Sequence, residues 1–74
     1  MTQHTDEGVL KDIKRMPNSL NGNPRYALTL DNGNRYNTRA DGQVGFDLQN
    51  YQFEGCTVRL LINGRGTVFD ISTI

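Results

Sequence analysis

This 74-residue chain has one cysteine, one histidine, two prolines, no tryptophan and no net charge. Each scarcity excludes something. A single thiol, Cys56, cannot close an intramolecular disulfide or supply a multi-cysteine zinc site. His4 lies in a polar N-terminal stretch and forms no ligand motif with Cys56, so no metal is expected. No Asp-rich loop has calcium spacing, and Gly64-Arg65-Gly66 lacks the Lys-Ser/Thr and following helix of a phosphate-binding loop. No apolar run approaches the roughly 18 residues of a membrane span. Residues 1–8 are polar and acidic, unlike a signal peptide. These features lead us to expect a cytoplasmic protein with no cofactor and no membrane partner.

Nucleophilic catalysis needs a Ser, Cys or Thr beside a positioned base. Here the only imidazole lies in the expected tail, and Cys56 opens an apolar strand, where a thiol is usually inert. The carboxylates are scattered, mostly in turns. No catalytic residue is assigned, and the expectation is a protein that is not an enzyme.

A chain of this length forms one domain and buries only about 60% of the surface it exposes when unfolded. The interior must be thin, which favours a surface site over a deep cavity. Eight Lys and Arg balance eight Asp and Glu, but the charges are segregated. Residues 9–39 hold Lys11, Lys14, Arg15, Arg25, Arg35 and Arg39 against only Asp12 and Asp31, while the flanking segments are acidic. Such asymmetry permits an anionic partner.

Hydrophobic alternation and turn signals divide the chain. Residues 1–7 are expected to be a flexible tail and 8–74 a single small domain. Residues 8–16 fit either a strand, with Val9 and Ile13 on one face, or a short amphipathic helix; the β character of the remainder favours the strand. Residues 17–25, with Pro17 and Pro24 bracketing Asn21-Gly22, form a long loop. Residues 26–30 place Tyr26, Leu28 and Leu30 on one face. Asn32-Gly33 then signals a hairpin, and residues 35–39 return with Arg35, Asn37 and Arg39 outward. Asp41 is placed as the cap of a helical turn carrying Val44 and Leu48, with Phe46, Tyr51 and Phe53 plugging the core. Residues 56–62 align Cys56, Val58, Leu60 and Ile62; Asn63 to Gly66 turn the chain into a last strand of unclear phase.

The order strand, long loop, hairpin, helical turn, hairpin predicts an all-β fold. It fits a small five-stranded antiparallel barrel, OB-like, with the helical turn between strands three and four. An SH3-like barrel is the competitor.

The run Ile13-Lys14-Arg15-Met16-Pro17-Asn18-Ser19, followed by Gly22-Asn23-Pro24-Arg25-Tyr26, resembles a motif of short uncharacterised proteins from actinobacteria and their phages. Asp31-Asn32-Gly33 and the hairpin at Gly64-Arg65-Gly66 extend that similarity. The resemblance implies a phage or prophage accessory protein acting in the host cytoplasm. It supplies no activity or ligand, and it supports a strand over residues 8–16.

Two binding surfaces follow, docking on a protein being the favoured reading and nucleic-acid binding its alternative. The first is the 17–25 loop, stiffened by its prolines, in which Asn18, Ser19, Leu20, Asn21 and Asn23 would meet a host or phage protein. Leu20 would either anchor in the partner or fold back to cap the barrel. The second is a basic and aromatic strand face of Lys11, Lys14, Arg25, Arg35, Tyr36 and Arg39 that would bind single-stranded nucleic acid. Against it, Tyr26 is in phase with the core, and strand arginines commonly just solvate an outer face. Self-association through an edge strand is the third route to a partner.

Overall fold

The computed structural model describes residues 3–74. Its elements are β1 (His4–Met16), β2 (Arg25–Leu30), β3 (Arg35–Thr38), α1 (Gln43–Asn50), β4 (Thr57–Ile62) and β5 (Thr67–Thr73). The strands close into a barrel in the order β1-β2-β3-β5-β4. With its helix between the third and fourth strands, this is the OB-like arrangement expected from the element order. Four seams are antiparallel. The fifth, β3 to β5, is parallel, which the antiparallel expectation did not include. α1 and β4 lie between these two strands and supply the long crossover that parallel pairing requires.

The expected tail is corrected. Residues 4–7 belong to β1 and pair with β4, from His4 opposite Ile62 to Glu7 opposite Arg59; Met1 and Thr2 lie outside the described residues. The polar side chains of residues 4–7 hide a strand that is held by its backbone ladder. β1 then bends from β4 onto β2 through a bulge at Lys11, which has no partner between the Leu10–Leu30 and Asp12–Thr29 pairs. The extra residue shifts the alternation, so Leu10 and Ile13, three apart, both face inward, and Val9 is displaced from the core face it was assigned. β5 uses the same device. Leu61 opposes Asp70 and Ile62 opposes Val68, leaving Phe69 extra. Val68 and Ile71 are therefore both buried, which settles the phase of the last strand.

The core consists of Leu10, Leu28, Leu30, Val44, Leu48, Val58, Leu60, Ile62, Val68 and Ile71. Tyr26, Tyr36, Phe53, Ile13 and Cys56 pack around it, half-buried. α1 contributes Val44, Gly45 and Leu48 and packs against β5 and β2. The expected aromatic plug is corrected: Phe46 and Tyr51 are exposed, and of that trio only Phe53 packs on the core. Asp41 is not the helix cap. Gly42 holds that position with no side-chain hydrogen bond.

One polar cluster ties β1 to the β2–β3 turn. Asp6 lies opposite Leu60 and so faces inward at the barrel end. It accepts hydrogen bonds from Tyr36 Oη at 2.6 Å, Asn34 Nδ2 at 2.8 Å and Asn32 Nδ2 at 3.1 Å. Burial alone would raise its pKa. The Tyr36, Asn34 and Asn32 bonds, with the Glu7 backbone amide, outweigh that and hold it below the ordinary 3.8. Burial, and then the hydrogen bond to Asp6 and its charge, push Tyr36 up to about 12. A carboxylate with a lowered folded pKa contributes stability above its unfolded pKa and loses it as pH falls through the folded value. Asp6→Asn should therefore be less stable than wild type near neutral pH by about 1 kcal/mol, after allowance for solvent screening. The gap should close as pH falls below about 4. Urea titrations of both proteins across that range check this; a gap constant with pH would refute it.

Candidate functional site

The outward face of β1, β2 and β3 follows from register. Lys14 opposes Ala27, Asp12 opposes Thr29, and Met16 opposes Arg25. On the other side of β2, Ala27 opposes Asn37 and Thr29 opposes Arg35. Since Leu28 is interior, all these residues point outward. Ala27, Thr29 and Asn37 form a floor of small side chains, with Lys14, Arg25 and Arg35 around it. Arg39 continues the β3 row, its backbone amide donating to Val68 O at 2.7 Å.

The β4–β5 turn adds a cation, Arg65, whose sequence context marks it only as a turn residue. Asn63 Oδ1 accepts the amides of Arg65 and Thr67, both at 3.0 Å, and Gly66 donates to Asn63 O at 3.0 Å. Gly66 takes φ +82°, the left-handed conformation this turn requires. The turn holds Arg65 beside the face. One open hollow of about 440 Å³ is lined by Ala27, Thr29, Arg35, Asn37, Arg65 and Thr67, among others. A second, of about 560 Å³, is lined by Arg39, Ala40, Asp41, Asn63, Arg65 and Thr67. The two share Arg65 and Thr67, so they adjoin.

Five cations (Lys14, Arg25, Arg35, Arg39 and Arg65) thus border one face with two carboxylates, Asp12 and Asp41. Among the described residues the one ion pair is Arg59 to Glu7, at 2.6 Å, on β4 and the first half of β1. Arg25 Nε is buried without a hydrogen-bond partner among the described residues.

Two residues expected on the basic face lie elsewhere. Lys11 is the bulge residue and sits outside the row. Tyr36 opposes Leu28 on the inward side, packs on the core and donates to Asp6. It is not a free stacking platform, because a residue one step from Arg35 on a strand faces the other way. Arg15 also has inward phase, opposite Tyr26. Its guanidinium stacks 5.2 Å from the Tyr26 ring centre and donates to Asn18 Oδ1.

Hydrogen bonds tie the 17–24 loop to Asp41 and to itself. Asp41 accepts from Ser19 Oγ at 2.7 Å, Asn23 Nδ2 at 3.0 Å and Asn21 Nδ2 at 3.2 Å. These bonds, Ser19 and Asn23 foremost, lower the pKa of Asp41, with Arg39 adding to the effect. Ser19 and Asn23 also pair through their backbones, Ser19 N to Asn23 O at 3.0 Å. Ser19, Asn21 and Asn23, named as contact residues, thus turn inward to Asp41, and Asn18 turns to Arg15. Leu20 is fully exposed. It does not fold back over the barrel, so the core-capping role is corrected: α1 already fills that end.

His4, expected in a loose tail, lies in β1 beside a smaller hollow with Thr5, Leu61 and Phe69. No group of three or more His, Cys, Asp or Glu side chains among the described residues is placed to hold a metal ion. No helix of the described residues is long and apolar enough to cross a membrane. No protein-family model matches this chain, and neither a curated protein nor a solved structure matches it.

Proposed function

We propose that this protein is a non-catalytic binding module whose working surface is the outer β1–β2–β3 face with the β4–β5 turn, and that its ligand is single-stranded nucleic acid. The observation that carries this is the concentration of Lys14, Arg25, Arg35, Arg39 and Arg65 around a floor of small residues in a chain of zero net charge. A locally cationic, shallow and open surface attracts a flexible polyanion. The strand face and flanking loops of OB-like barrels are a common place for such ligands, by analogy of fold alone.

A second reading, docking of a host or phage protein on the 17–24 loop, is supported by the full exposure of Leu20 on a turn pinned to Asp41. A turn whose backbone neighbours are already held loses less entropy on binding than a free one. The resemblance to phage proteins suits either reading, as an accessory factor in a host cytoplasm.

One experiment weighs the two. Retention on immobilised single-stranded DNA at low salt should fall steeply as salt rises. Arg35→Ala with Arg39→Ala should weaken it about tenfold or more, and Leu20→Asp should leave it unchanged. Retention that ignores both salt and the arginines would remove the nucleic-acid reading.

A further inference from the structure

We infer that this face reads the phosphodiester backbone of a single strand and not its bases, a refinement that rests on the nucleic-acid reading above. Base recognition by single-strand binders depends on rings standing free on the binding face, on which the bases stack. All six aromatic residues of this chain are engaged or placed elsewhere. Tyr26 carries Arg15 over its ring. Tyr36 borders the first hollow, but it packs on the core and its hydroxyl is committed to Asp6. Phe53 packs on the core and meets Tyr51 edge-on, with ring centres 6.5 Å apart. Phe46 lies on α1, and Tyr51 follows its last residue. Phe69 borders the hollow beside His4 and Leu61.

The face itself offers Ala27, Thr29, Asn37 and Thr67 as floor, with Arg35, Arg39 and Arg65 as cationic walls; the Asp41 carboxylate also borders the second hollow, where Ser19, Asn21 and Asn23 engage it. Guanidinium forks match phosphate oxygens bidentately. The two hollows adjoin at Arg65, with Arg35 in one and Arg39 in the other. That arrangement suits successive phosphates of one strand, with Arg65 between them and the bases turned to solvent. The Asn63-centred hydrogen bonds fix the backbone of the turn, so Arg65 is presented from a rigid support.

The test is fluorescence anisotropy on the intact protein with three labelled single strands of equal length: oligothymidylate, oligoadenylate and an abasic strand. All three should bind at low salt with affinities within about threefold of one another. With three arginine–phosphate contacts, log K should fall against log salt with a slope of about −2. Arg65→Ala should weaken all three strands alike and reduce the slope by about 0.7, while Arg65→Lys should keep the slope. Arg65 lies in an exposed turn, and circular dichroism of each variant confirms that the fold is retained. A loss of more than tenfold for the abasic strand, or a preference of that size for one base, would overturn backbone reading while leaving nucleic-acid binding intact. Binding of none of the three would defeat the nucleic-acid reading itself and the inference with it.

Discussion

Leu60→Ala should lose about 2–5 kcal/mol of folding free energy, the range for truncating a fully buried leucine. Leu60 is completely buried, sits between Asp6 on β1 and Ile71 on β5, and belongs to a core of only ten buried side chains. A single core in a chain this short supplies roughly 3–5 kcal/mol of net stability. The loss therefore approaches the whole, and the variant should be largely unfolded near 37 °C. Urea unfolding followed by far-ultraviolet circular dichroism measures it. The cost depends on how far the surroundings collapse into the cavity, and a closed barrel with strands paired on both sides has little freedom to do so. A loss under about 1 kcal/mol would mean that the interior is loosely packed.

Gly45→Ala should also destabilise, against the sign that local propensity gives. Glycine inside a helix costs about 1 kcal/mol relative to alanine, so from the sequence the substitution should help α1. In the structure an added Cβ would stand 2.2 Å from Pro24 O and 3.2 Å from Pro24 C. The obstacle is loop backbone just before β2, not the tip of a flexible side chain. Either α1 lifts off the barrel end, exposing Val44 and Leu48, or the 17–24 loop moves and strains its bonds to Asp41. Overpacking of this kind costs typically 1–3 kcal/mol, and here enough to outweigh the helix-propensity gain. The expected result is a lower thermal midpoint for Gly45→Ala. A higher midpoint would show that local propensity governs this site and that α1 is not seated as described.

These two sites differ in how visible they are from sequence. Leu60 is legible because Val58, Leu60 and Ile62 alternate without interruption, and a strict period of two identifies a half-buried strand. Gly45 is not, because nothing in Asp41 to Leu48 announces that Pro24 will lie against it. The contact joins residues 21 positions apart, and only packing creates it.

The candidate site divides the same way. Arg35, Asn37 and Arg39 were readable as one outward row, since strand alternation alone puts them together. Tyr36, expected at the basic face, is not in that row: the same alternation turns it inward, where its hydroxyl donates to Asp6. Arg65 is not legible as part of the site, because its neighbours spell a turn. The turn is real, but barrel closure sets it beside β3. Ser19, Asn21 and Asn23 have the composition of a recognition loop, and the structure engages them internally with Asp41.

By itself the sequence determined the β class, the element order, the two Gly-containing hairpins and most of the core, because these follow from side-chain periodicity and from backbone conformations that few residues adopt. The tertiary structure decided the rest: that polar residues 4–7 form a strand, that β3 and β5 meet in parallel, where the alternation breaks at Lys11 and Phe69, and which cations share a face. The physical reason is that bulges and barrel closure are set by hydrogen-bond partners and packing far along the chain, which leave no periodic trace in the segments they join.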